Sequence, residues 1–160
     1  MTIPARRRLL RITLGCGLMA SGGARAADTT LQWVPPQVEA PRVQRVVFDS
    51  AAAGTKAGCH VYTPGAYDAE PERRFPVLYW LHGWKGDAGR ATVGGIAPMA
   101  SRFDAAIREG KIPPLIVVFA NGMDSLWIDS KDGRMPMESV VVKDLIPHIE
   151  IGRASCRERV

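Results

Sequence analysis

Two stretches of this chain are apolar at every position, and the segments around them are apolar only at alternate or helically spaced positions. The first, residues 77–81, opens after Pro76 and closes at His82-Gly83; the second, residues 115–120, follows Pro113-Pro114. Runs of strand length with no polar face suit central strands of a parallel sheet covered by helices. Ahead of them, residues 43–48 alternate apolar and polar as a half-buried strand. Small residues and Gly54 make 49–57 a loop into a second strand, 58–63, which Pro64-Gly65 ends. These two strands are expected to pair antiparallel, and the charged stretch 67–74 to be a surface loop. Between the two apolar runs, residues 99–109 place Phe103 and Ile107 on one face and Arg102, Asp104, Arg108 and Glu109 elsewhere. That is an amphipathic helix, with Pro98 suited to its first turn and Gly110 to its C-terminal end. Strand, helix, strand in this order argues for a right-handed parallel crossover. Residues 138–150 form a second helix, expected to turn Val141, Val142, Leu145, Ile146 and Ile149 inward, with Pro147 removing one hydrogen bond near its end. The fold class is α/β.

The turn at His82-Gly83 is where chemistry enters. Backbone N–H groups just past Gly83 can point out of the C-terminal end of the strand, where open α/β sheets place their ligands. A hydrolase that attacks a carbonyl needs such N–H groups fixed where the oxyanion forms. A tight strand-to-loop turn without chemistry has the same spacing.

Three ordered blocks extend this pattern: residues 75–87 around Leu81-His82-Gly83-Trp84, residues 110–122 ending in Asn121-Gly122, and Glu138 with 143–150. Together they resemble the esterase D/feruloyl-esterase-like branch of the α/β-hydrolases, which also holds enterochelin esterases and mycolyltransferases. The resemblance runs from about Val43 to Glu150. It implies a mostly parallel sheet with helices on both faces, represented here by its N-terminal half and ending before the nucleophile elbow. It implies the backbone N–H of Trp84 as the first oxyanion-hole donor, with His82 and Gly83 supporting the turn. His82 then braces the turn and does not titrate in catalysis. The activity implied is carboxylic ester hydrolysis through an acyl-serine, without metal or cofactor, on a small-molecule or polysaccharide-linked ester. An acyltransferase on the same scaffold and a non-catalytic exported binding protein with a degenerate esterase fold are the alternatives.

The triad itself does not surface. No Gly-x-Ser-x-Gly occurs, although α/β-hydrolases carry their serine in that elbow, with acid and histidine later in the chain. Ser155 lacks the flanking glycines, and Ser50, Ser101, Ser125, Ser130 and Ser139 have no elbow context. His148 is read as a surface or helix-end residue, not the general base. The connection 121–137 leaves the C-terminal end of a strand and should border any cleft, so Trp127 either lines an acyl or alcohol pocket or anchors the loop. Asp124, Asp129 and Asp132 fail the calcium-loop test: aligning Gly133 with the EF-hand glycine puts Ile128 and Ser139 at the first and last ligand positions. Asx-type turns account for them better.

Charge changes the picture only at the ends. The 160 residues carry a formal charge of +5, but residues 1–26 hold five arginines and no acid, and the last ten hold three more. The body between is slightly acidic, which leaves no electrostatic footprint for nucleic acid. Residues 1–26 read as an export signal: an arginine cluster, a weakly apolar segment and Ala24-Arg25-Ala26 as a cleavage site. Ala5 to Arg11 also fits the twin-arginine pattern. The apolar part is too short to span a membrane. Export to the periplasm or outside the cell follows, with 27–42 as an extended lead-in whose Trp33 docks on the body or on a ligand, the body being the simpler expectation. Residues 151–160 resemble an in-frame translation of a sequencing adapter, so the natural sequence is expected to be cut near Glu150 and the piece to be inactive and poorly soluble. With Cys16 in the signal and Cys156 in that tail, Cys59 remains as a packed thiol with no internal disulfide.

Overall fold

A computed structural model of the chain describes residues 31–83 and 95–150. The segment read as an export signal, the adapter-like tail, Trp84 and the glycine-rich stretch after it lie outside the described residues. Four strands, β1 (Val43–Ser50), β2 (Thr55–Tyr62), β3 (Val77–Trp80) and β4 (Ile116–Ala120), form one sheet in the spatial order β1-β2-β4-β3. β1 pairs antiparallel with β2, β2 antiparallel with β4, and β3 parallel with β4. The parallel pair is the one expected from the two apolar runs, and β4 is buried along its whole length. β3, expected to be central as well, instead lies at the edge of the described sheet with Leu78 38% exposed.

The β1–β2 connection is tighter than the sequence pattern indicated. Ladder pairing continues to Ser50 opposite Thr55, leaving a turn at Ala51–Gly54 where Gly54 takes φ +65°. Left-handed backbone of that kind is least costly for glycine. The charged stretch after β2 is also more ordered than a loop, because Ala66–Ala69 form a short helix, α1. Arg42 secures its approach, donating from Nε to the Thr63 carbonyl at 2.7 Å and from Nη2 to the Pro64 carbonyl at 2.8 Å.

Strand alternation splits the core between the two sheet faces. On one face Val43, Tyr62, Val117 and Phe119 pack with Ile96, Ala100 and Phe103 of α2 (Ile96–Arg108). Pro98 falls in the first turn of α2. Gly110 closes it at φ +70°, donating to the Ile107 carbonyl at 3.0 Å while Lys111 donates to Ala106 at 2.9 Å. Both bonds are those of a Schellman cap. Tyr62 ties the layers together through its hydroxyl, which donates to Asp104 at 3.1 Å.

On the other face Phe48, Cys59, Val118 and Ala120 pack against the helical run that begins at Met137. That run is α-helical over Met137–Ser139, π-helical over Val140–Leu145 and α-helical again over Ile146–Glu150. Of the residues expected to turn inward, Leu145, Val141, Ile146 and Ile149 do so wholly or in part, and Val142 does not. Val140 and Leu145 are buried and Ile149 is half-buried, whereas Val142 is 56% exposed. The cause is Pro147, whose ring would strike the carbonyl four residues back in a regular α-helix. The wider winding, seen in the Ile146 N–H donating to Val141, relieves the clash and brings residues five apart into line. His148 is exposed and stacks on Phe48 at 5.2 Å, as a helix-end residue.

The lead-in is docked as expected, with Trp33 packed on the second core face. Its course depends on Gly58, where an added Cβ would lie 2.9 Å from Pro35 Cδ and 3.0 Å from the Val46 carbonyl oxygen. Gly58→Ala is expected to cost about 1–3 kcal/mol by overpacking. The check is a lower urea midpoint at unchanged slope; an unshifted midpoint would mean that the lead-in simply moves aside.

Under the lead-in lies His60, fully buried, its Nε2–H donating to the Pro36 carbonyl at 3.0 Å while Nδ1 meets no partner. Burial, and secondarily the Arg45 charge, hold its pKa below the ordinary 6.5, against the pull of the Pro36 bond. The fold keeps this ring neutral, while the unfolded chain takes up a proton below pH 6.5. Stability is thus fully present above that pH and falls as pH drops toward the lower folded value. His60→Gln, which cannot titrate, should flatten the acid limb of a plot of thermal midpoint against pH. Cys59 is sealed in the same strand, its thiol pushed up to about 12 by burial.

Candidate active site

β3 and β4 run parallel with Trp80 opposite Phe119, so both strands finish at the same edge of the sheet. Each is followed within three residues by a glycine: Leu81-His82-Gly83 after β3 and Asn121-Gly122 after β4. The two turns are joined through one imidazole. Gly122 N–H donates to His82 Nε2 at 3.0 Å, and His82 Nδ1 lies 2.8 Å from the Gly83 carbonyl oxygen. A donor at Nε2 and an acceptor at Nδ1 require the neutral ring protonated on Nδ1. His82 is 3% exposed. Protonating Nε2 would set N–H against N–H at Gly122.

The loop after Gly122 folds back to complete the brace. Ser125 donates from its backbone to Gly122 O at 3.1 Å and accepts the Trp127 N–H at its hydroxyl at 3.2 Å. Met123 and Trp127 both adopt positive φ, +48° and +61°. Backbone held in that region by non-glycine residues persists only where its surroundings over-determine it. Here the surroundings are the indole contacts. Trp127 Nε1 donates to the His82 carbonyl at 2.8 Å, and its ring meets the imidazole edge-on at 4.8 Å and 61°. The indole also covers the α-carbon of Gly122 so closely that a Cβ there would overlap its ring atoms. Trp127 thus has the contacts of a loop-anchoring aromatic, while its neighbours Leu126 and Ile128 stand 59% exposed.

Of the residues singled out from sequence, His82, Gly83 and Trp127 are brought together; Trp84 lies outside the described residues. Gly122, Asn121 and Ser125 were missed as site residues. The signal was present, since Asn121-Gly122 repeats at β4 the apolar-strand-then-glycine ending noted at β3.

Ser50, Ser130 and Ser139, like Ser125, hold structure. Ser50 Oγ donates to Asp144 at 2.6 Å, Ser130 Oγ to Asp132 at 2.7 Å, and Ser139 Oγ to Asp129 at 2.7 Å. Asp132 also accepts the Arg134 N–H, an Asx-type turn, and Asp129 accepts the Ser139 N–H in the first turn of the last helix. These bonds draw both carboxyls below their usual range. Among the described residues no three His, Cys, Asp or Glu side chains gather as a metal site, and no helix is long and apolar enough to cross a membrane.

The comparisons with known proteins agree with this architecture. The Esterase family model matches residues 50–132. An endo-1,4-beta-xylanase/feruloyl esterase of Xylanibacter ruminicola is 33% identical over 114 residues, covering 68% of this chain and 15% of that protein. A ferulic acid esterase structure superposes with TM-score 0.58 at 23% identity, over 68% of this chain and 43% of its own. A CE1 ferulic acid esterase from Anaeromyces mucronatus, in complex with ferulic acid, gives TM-score 0.56 at 17% identity, over 78% and 48%. The chain therefore spans less than half the length of these relatives. With its strand order, its paired glycine turns and the match across 50–132, the chain belongs to the Esterase family and has an α/β fold shared with the ferulic acid esterases.

Proposed function

We propose that the protein to which this chain belongs is a serine carboxylic ester hydrolase, and that the His82-Gly83 turn supplies part of its oxyanion hole. The observation that carries this reading is the bond from His82 to the Gly83 carbonyl at the C-terminal edge of a parallel strand. In a planar trans peptide the N–H points opposite to the preceding C=O. A Gly83 carbonyl turned onto the imidazole is thus the arrangement that an outward-facing main-chain donor at this turn would require. A fixed main-chain donor of this kind needs no reorganisation when charge appears, which is why its contribution to the transition state is large. The serine, its acid and its histidine would come from residues outside these 160.

The acyl group is inferred to be aromatic, of the hydroxycinnamate type. Leu126 and Ile128 offer exposed apolar surface beside Trp127 at the edge that carries the turn, and relatives include feruloyl and ferulic acid esterases. Export through residues 1–26 fits a substrate linked to polysaccharide outside the cell. The test is to express the uninterrupted reading frame and assay methyl ferulate and an activated acetyl ester, with and without a serine-directed phosphonate. Turnover abolished by the phosphonate is expected; no turnover, and no covalent adduct, would defeat the reading. A competing alcohol in the same assay separates hydrolysis from acyl transfer by its products.

A further inference from the structure

We propose that Asn121 is a positioning residue that couples the docked lead-in, residues 31–36, to the His82-Gly83 turn. The lead-in is gripped through its carbonyls at the end of β4. Asn121 Nδ2 donates to Gln32 O at 2.8 Å and to Trp33 O at 3.0 Å. Two carbonyl acceptors on one nitrogen fix which way the amide points. Trp33 O also receives the Gly58 N–H at 3.0 Å, from the part of β2 that extends past the end of β4. The lead-in thus caps the ladder where β4 stops. Farther along, Arg45 donates to Pro35 O at 3.3 Å and His60 to Pro36 O at 3.0 Å. Pro35 and Pro36 have no N–H, so the carbonyl side is what the body can hold at those positions.

Asn121 is also the residue before Gly122, whose N–H reaches His82 Nε2 at 3.0 Å. Its side chain is tied to the lead-in, and the peptide that follows it carries the donor that fixes the imidazole. Pulling Asn121 toward Gln32 and Trp33 therefore sets the direction of the Gly122 N–H, which sets the ring, which sets the Gly83 carbonyl. The lead-in becomes a supporting part of the site, not a spacer between an export signal and the body.

This inference rests on the oxyanion reading of the turn, but its readout does not require ester turnover, so the two can fail separately. The uninterrupted protein labelled with 15N is compared with Asn121→Ala and with Asn121→Asp, which keeps the shape and loses both donations. Wild type should show His82 as a single neutral tautomer protonated on Nδ1, with a slowly exchanging Gly122 amide. Both variants should speed Gly122 exchange by about tenfold or more and move the His82 ring nitrogens toward tautomer averaging, while the Val117 and Val118 amides stay protected. If His82 and Gly122 keep their wild-type signature while the lead-in loosens, the coupling is refuted. If protection falls equally at Val117 and Val118 in both variants, Asn121 is a folding residue and the proposal is likewise overturned.

Discussion

Gly122→Ala is expected to lower stability by roughly 2–4 kcal/mol, a large effect for one methyl group. The backbone of Gly122 is not left-handed, so the penalty is not conformational; it is collision with the Trp127 indole, whose ring occupies the space a Cβ needs. Trp127 cannot yield at low cost. Its φ of +61° is held by the Ser125 hydroxyl on its N–H, and its Nε1 is committed to the His82 carbonyl at 2.8 Å. Moving the ring gives up that bond, worth about 0.5–1.5 kcal/mol, and opens a void beside the imidazole. Denaturant unfolding followed by tryptophan emission should show a lower midpoint and a red-shifted native spectrum. A midpoint within about 0.5 kcal/mol of wild type, the scatter of ordinary surface substitutions, would contradict the packing described here.

His82→Ala is expected to reduce kcat of the serine-containing parent by roughly 10²–10³-fold with little change in KM, the range for loss of one oxyanion donor. The variant removes the acceptor of the Gly122 N–H, the donor to the Gly83 carbonyl and the surface on which Trp127 rests. Substrate in its ground state barely senses the direction of the following amide; the tetrahedral oxyanion does. The loss should therefore fall on the chemical step, and the pH profile should keep its shape, as the proposed bracing role requires. A displaced limb of that profile would reassign His82 to proton transfer. Stability should fall as well, since a buried backbone donor is left without a partner.

These expectations mark how far the sequence could be read. The two wholly apolar runs became adjacent parallel strands, and the helix between them ended at Gly110 as its pattern required. Burial on both faces holds for β4 alone, since β3 lies at the edge of the described sheet with Leu78 and Leu81 exposed. Fold class was legible from the strand-helix-strand order, and the first strand pair from the alternation of residues 43–48 and the short spacing to the next strand. The exposure of Val142 in the last helix was not, because the π-helical turn ahead of Pro147 departs from the 3.6-residue period that placed it inward. In the site, His82 and Gly83 were visible as a glycine turn after a strand. Their partners were not: the Gly122–His82 bond joins residues forty positions apart, and the return of Trp127 depends on two positive-φ residues that no apolar periodicity records. The lead-in was visible as extended chain from its prolines, but its attachment by carbonyls to Asn121, Gly58, Arg45 and His60 was not.

The most direct test of the central claim is a structure of the uninterrupted protein with a phosphonate bound covalently to its serine. The phosphonyl oxygen is predicted to lie within hydrogen-bond distance of the main-chain N–H that follows Gly83, with His82 still bonded to Gly122. A phosphonyl oxygen held elsewhere, with that N–H turned into the protein interior, would contradict the account.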